Sequence, residues 1–185
     1  MELTNTKQMI VHECEKALAS IDDSQGEALV NAVLAAEKVY FYGVGRVFLS
    51  LQSICKRMAH MGISAHCVGE ITEPAITSRD LLIIASGSGE SICPKAIAQK
   101  AKSLGARLAW IGSNDESTIA GLRDIQVRIP VQTKLNRSDE LHSQQPMTSL
   151  FEQCLLLYGD ALAMEIMQRK QIDLNKLWQY HANLE

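Results

Sequence analysis

Leu81-Leu82-Ile83-Ile84-Ala85-Ser86-Gly87-Ser88-Gly89-Glu90-Ser91-Ile92-Cys93-Pro94 is the stretch on which the fold turns. Five aliphatic residues in a row, cut off by small hydroxyl-bearing ones, read as a strand buried on both faces. Residues 92–104 read as a helix stopped by Gly105, with Pro94 near its start, where a missing N–H costs little. Ser86 to Ser91 therefore lie at a strand-to-helix turn. Such a turn aims free backbone N–H groups and the positive end of a helix dipole at one point. Two glycines let the backbone come close to a ligand there, and the hydroxyls can surround an anion. The plainer alternative is a serine-capped turn with no ligand.

The same grammar extends in both directions. Residues 38–42 read as a strand that ends in a second glycine turn, Gly43-Val44-Gly45-Arg46. This turn opens a helix over about 46–61 carrying Phe48, Leu51, Ile54, Cys55 and Met58, with Gly62 as its stop. Before it come two helices, at 5–21 and 25–36, separated by the turn Asp22-Asp23-Ser24. After it, strands are expected at 64–68, 81–85, 108–112 and 125–130, with a loop or short helical turn over 69–78 and a short helix at 117–122. Strands separated by helices of about ten residues or more pair in parallel through crossovers. Ligands of such sheets sit beyond the carboxyl ends of the strands, so both glycine turns can converge on one pocket. Residues 133–145 are polar and irregular, long enough for a lid or active-site loop. The helix expected over 147–168 is apolar round much of its surface, and the tail 173–185 carries Leu174, Leu177, Trp178 and Tyr180. Both predict docking, in part on a partner subunit.

Composition narrows the function classes. A chain of 185 residues holds one domain with a real core and has no room for two. A net charge of -3 and 5% aromatic residues offer neither the field nor the stacking surface that nucleic acid needs. Met1 to Lys7 lacks the basic and apolar regions of a signal peptide, and no apolar run approaches the ~20 residues of a membrane span. Cys14, Cys55, Cys67, Cys93 and Cys154 are dispersed, with no C-x-x-C pair, which predicts reduced core thiols, a cytoplasmic setting and no structural zinc.

Two further features bear on chemistry. Gly43-Val44-Gly45 begins a dinucleotide pattern, with Glu70 available for a ribose, but the third glycine position holds the bulky Phe48 and the serine turn has no role in that reading. Glu152 sits early in the apolar helix, beside the irregular loop. It reads either as a carboxylate favoured by the helix dipole or as a general base whose pKa is raised by burial among Phe151 and Leu155. His60, in Arg57-Met58-Ala59-His60-Met61-Gly62, reads as a helix-end charge or a proton carrier. His12, His66, His142 and His181 have no metal-ligand spacing.

The order Gly43-Val44-Gly45-Arg46, Val68-Gly69-Glu70, Ser86 to Ser91, Thr133-Lys134-Leu135 and Pro146-Met147-Thr148-Ser149-Leu150-Phe151-Glu152 resembles the sugar isomerase (SIS) domain family, over roughly residues 10–170. The last segment resembles its 6-phospho-3-hexuloisomerase branch. The resemblance implies a single domain of α/β class over residues 1–185: a three-layer αβα sandwich around a five-stranded parallel sheet, flavodoxin-like or Rossmann-like. Helical extensions at both ends, about 5–36 and 147–180, would serve oligomerisation as a homotetramer. It implies isomerisation of 3-hexulose 6-phosphate to fructose 6-phosphate through an enediolate, with no metal and no cofactor. Carried over by position, Ser86, Ser88 and Ser91 would hold the phosphate. Gly45 and Arg46 would form the other wall, Glu152 would be the base, and His60, from its own or a neighbouring subunit, would assist. The family usually has serine at the position of Val47 and glycine at that of Thr148. Isomerisation of another phosphosugar such as arabinose 5-phosphate, or sugar-phosphate sensing without catalysis, stays open at this level.

Overall fold

The computed structural model describes residues 2–184. Five parallel strands form one sheet in the order β2-β1-β3-β4-β5: β1 (Val39–Tyr42), β2 (Ala65–Cys67), β3 (Leu81–Ala85), β4 (Arg107–Gly112) and β5 (Ile125–Arg128). β3 is central and buried at all five positions, which is why its sequence shows no polar alternation. The edge strand β5 alternates buried and half-buried residues instead. Pro130 follows it, and the expected strand stops short at Arg128. The register places Tyr42 beside Ile84, so the glycine turn after β1 and the serine turn after β3 leave the sheet side by side.

Side chains on the sheet alternate between two cores. Leu81, Ile83, Phe41, Ala109, Ile111 and Val127 face one layer of helices: α2 (Asp23–Ala35), α3 (Gly45–His60) and α5 (Ser149–Arg169). Leu82, Ile84, Tyr40, Leu108 and Trp110 face α4 (Ile92–Ser103) and a short 3₁₀ turn, Ala120–Leu122. This is the expected three-layer α/β sandwich. α1 (Leu3–Ala19) lies outside, joined to α5 through Cys14, whose thiol donates to Gln153 Oε1 at 3.4 Å.

Local chemistry explains the boundaries. The Asp22 side chain accepts from Ser24 N at 2.8 Å and caps α2, as the turn sequence predicts. Gly62 and Gly105 take positive φ after α3 and α4 and end them. Met147 also takes positive φ, at 56°, so α5 starts at Ser149 rather than two residues earlier. The helix expected over 117–122 shrinks to its last three residues. The connection from β2 to β3 carries no helix. Its end is tied down by Asp80, buried, whose carboxylate accepts from Lys38 N at 3.1 Å, Thr77 N at 2.6 Å and Thr77 Oγ1 at 2.9 Å.

The apolar tail folds back on its own chain. Leu174–Tyr180 is a 3₁₀ helix, His181 stacks on His60 with centroids 5.2 Å apart, and the Tyr180 ring lies against Gly62. Trp178 remains 74% exposed.

Candidate active site

The order 2-1-3-4-5 reverses direction between β1 and β3, and a crevice opens there beyond the strand ends. A cleft of about 860 Å³ occupies it, large enough for a phosphorylated hexose. Its walls come from four segments: Val44 to Val47, Ala85 to Ser88 with Ser91, the stretch around Thr133, and the stretch from Pro146 to Glu152.

Three helix N-termini meet at this cleft. The residues that precede α3, α4 and α5 are Val44, Ser91 and Thr148. All three line the cleft, and none caps the backbone N–H groups of its helix with its side chain. Their positive dipole ends thus lie at the cleft without a capping side chain, the arrangement that suits an anion. Ser91 and Val44 stand where caps stand, and Ser91 spends no hydroxyl bond on capping.

The serine turn is rigidly built. Ser86 and Ser88 are buried, and Gly89 N donates to Ser86 Oγ at 3.2 Å and to the Ser86 carbonyl at 3.1 Å. Gly89 has φ of 64°, and a Cβ there would lie 1.9 Å from Ser117 Oγ, so glycine is required by conformation and by space. Glu90, within the serine turn, has its charge taken elsewhere. It accepts from Thr118 N at 2.6 Å and from Lys95 Nζ at 3.0 Å, and these bonds hold its carboxyl below the usual range.

Across the cleft stands Glu152, in the first turn of α5 and only 8% exposed. Thr148 Oγ1 donates to its Oε1 at 2.9 Å, and the Arg46 guanidinium donates from Nε to its Oε2. Ser50 Oγ donates to the Glu152 carbonyl at 3.0 Å and locks α3 to α5 at this level. Its carboxylate therefore binds side chains of the cleft and not the N–H groups of its own helix. That arrangement departs from a simple helix-dipole charge.

The structure brings Gly45, Arg46, Ser86, Ser88, Ser91 and Glu152 to one cleft. His60 lies elsewhere in the chain: α3 starts at the cleft with Gly45, and His60 is its last residue, about 23 Å further along at 1.5 Å per residue. Val47 does line the cleft, its branched side chain standing where the family has a hydroxyl. Sequence reasoning assigned no part to Thr148, Lys134, Gln132 or Asn136, all of which line the cleft. Thr148 had a signal, a hydroxyl four residues ahead of Glu152, one helical turn away. Gln132 and Asn136 had none beyond their place near the irregular loop.

A parallel sheet of this order, with a hydroxyl-rich turn after its central strand and a carboxylate facing it, defines an α/β domain whose cleft suits a small anionic ligand. The SIS domain model matches residues 33–163, and the chain belongs to that family. Its relatives include a protein of Bacillus subtilis named 3-hexulose-6-phosphate isomerase, 37% identical over 185 residues, with both chains covered in full. A protein of the same name from Mycobacterium gastri is 34% identical over 184 residues, which cover 100% of this chain and 92% of that one. Among solved structures, a protein from Methanococcus jannaschii, reported with an inferred molecular function of 3-hexulose-6-phosphate isomerase, superposes with a TM-score of 0.85 at 25% identity. That match covers 98% of this chain and 99% of the other.

Proposed function

We propose that the protein is a phosphosugar isomerase that interconverts 3-hexulose 6-phosphate and fructose 6-phosphate. The observation that carries the reading is Glu152, which faces the serine turn across a cleft where three uncapped helices begin. The full-length relatives named for that reaction support the choice of sugar.

The chemistry follows from the geometry. A 3-ketose and a 2-ketose differ by one proton on carbon and one on oxygen. One carboxylate can take the proton from C2 and return it to C3, while the hydroxyl proton passes from O2 to O3. The intermediate enediolate carries charge on those oxygens, and Arg46, already beside Glu152, is placed to stabilise it. Phosphate held at Ser86, Ser88 and Ser91 fixes C6, so C2 and C3 reach the carboxylate. His60 assists in this reading from a neighbouring subunit, because its own chain holds it at the far end of α3. The assembly proposed is a homotetramer with the N-terminal helices (about 5–36) and the C-terminal helices (about 147–180) at its contacts, working in the cytoplasm without metal or cofactor.

Fructose 6-phosphate in D₂O tests the reaction class. This reading expects enzyme-dependent deuterium at C3, seen by NMR. Deuterium at C1 would make the protein an aldose–ketose isomerase, and neither exchange nor conversion of any of a panel of sugar phosphates, arabinose 5-phosphate included, would make it a binding protein.

A further inference from the structure

The irregular segment after β5 closes on itself. Val131 and Leu141 form an isolated parallel bridge, with Gln132 N donating to the Leu141 carbonyl at 2.9 Å and Leu141 N to the Pro130 carbonyl at 2.7 Å. Within this closed loop the Glu140 carboxylate accepts four hydrogen bonds. Thr133 N at 3.0 Å and Arg137 N at 3.1 Å reach Oε2, while Thr133 Oγ1 at 2.8 Å and Ser113 Oγ at 3.1 Å reach Oε1. Ser113 also donates its N–H to the Gly87 carbonyl at 3.1 Å. A Cβ at Gly87 would lie 3.0 Å from Thr133 Cγ2, so the buried Thr133 seats directly on the serine turn. One carboxylate thus ties the loop to the turn expected to hold the phosphate.

Lys134 comes next in the chain, exposed and on the cleft wall. The other cations around the cleft already have carboxylate partners. Arg46 binds Glu152, Lys95 binds Glu90 at 3.0 Å, and Arg137 binds Glu116 at 3.1 Å and Asp139 at 3.2 Å. Among the described residues Lys134 binds no carboxylate. The serine turn supplies only neutral donors, whereas a phosphate dianion gains most from a charged one.

Resting on the reading of the cleft as a sugar-phosphate site, we propose that Lys134 is the cation that binds the substrate phosphate, held beside the serine turn by Glu140 as a positioning residue. Calorimetric titration with inorganic phosphate tests it, alongside steady-state kinetics on the sugar phosphate. Lys134→Met is expected to raise the phosphate Kd and the sugar-phosphate KM by about tenfold, as loss of one charge-assisted contact does, with kcat within about threefold of wild type. Lys134→Arg should restore both to within about threefold, since it keeps the charge. Glu140→Gln, which cannot accept all four bonds, should reproduce the Lys134→Met rise in Kd and add nothing to it in the double variant. A rise below about threefold in Lys134→Met overturns the assignment of Lys134, and a multiplicative double variant overturns the positioning role of Glu140. Because Lys134 is exposed, its variants should fold and unfold as wild type does, and they decide the matter even if Glu140→Gln is unstable. Should wild type bind phosphate without isomerising any sugar, the activity reading falls while the titrations still decide Lys134.

Discussion

Both oxygens of Glu152 are engaged before any ligand arrives, one by Thr148 and one by Arg46. A base held this way is oriented in advance, and Arg46, 66% exposed on its side chain, is free to shift its donors to substrate oxygens as the sugar enters. Glu152→Gln keeps the shape and removes the proton acceptor. Turnover should fall by about 10²–10⁴ with little change in phosphate affinity. Ser88→Ala should do the reverse, weakening affinity and sparing turnover. If Glu152 only complemented a helix dipole, its loss would cost ~0.3–1 kcal/mol of stability and leave turnover alone. Turnover in Glu152→Gln within about threefold of wild type, far short of the range for a lost base, would refute the mechanism.

The elements that carry the site are held by glycines whose geometry allows nothing larger. Gly89 combines a positive φ with a Cβ position that overlaps Ser117 Oγ. Gly89→Ala should therefore cost at least about 1–3 kcal/mol in backbone strain alone, lower the melting temperature and abolish phosphate binding by opening the turn. Gly121, in the nearby 3₁₀ turn, has open space at its Cβ and an ordinary φ, so Gly121→Ala should change neither stability nor binding by much. Equal effects of the two substitutions in thermal melts and phosphate titrations would contradict this account of the turn.

At the scale of the whole molecule, acid stability and assembly can be foreseen. Burial pushes the carboxyls of Glu13, Asp80 and Asp124 up, but their hydrogen bonds and nearby cations outweigh it, and all three end below their usual values. Groups depressed in the folded state lend stability above their unfolded pKa and lose it as pH falls through the folded one. Urea midpoints should thus be insensitive to these groups from about pH 7 to 5 and drop below about pH 4.5. Asp80→Asn should flatten part of that drop. The oligomer makes a sharper prediction. Leu49, Leu157, Met164 and Trp178 leave apolar surface uncovered on one chain, so sedimentation at micromolar concentration should give a multiple of 20.4 kDa. If His60 acts across a subunit boundary, Glu152→Gln and His60→Ala chains, each inactive alone, should regain about a quarter of the wild-type sites when mixed and reassembled equally. Absence of any regain from exchanged subunits would rule out action across a subunit boundary, and a fully active His60→Ala enzyme would place His60 outside the reaction.

Much of the fold is written locally. The aliphatic run at 81–85, the glycine after each of α3 and α4, and the cap at Asp22 act through neighbours a few residues away, and sterics leave them few conformations. The serine turn was legible for the same reason. The meetings between distant segments were not. That Glu152 faces Ser86, that Thr133 rests on Gly87, and that Glu140 gathers Thr133 and Ser113 depend on the path of the chain after β5 and on the packing of α5 against α3. Periodicity marks α5 as apolar over a broad arc but does not say which part of that arc meets the sheet. The choice is made only when the two cores close and bury Phe151 and Leu155, which turns Glu152 to the cleft.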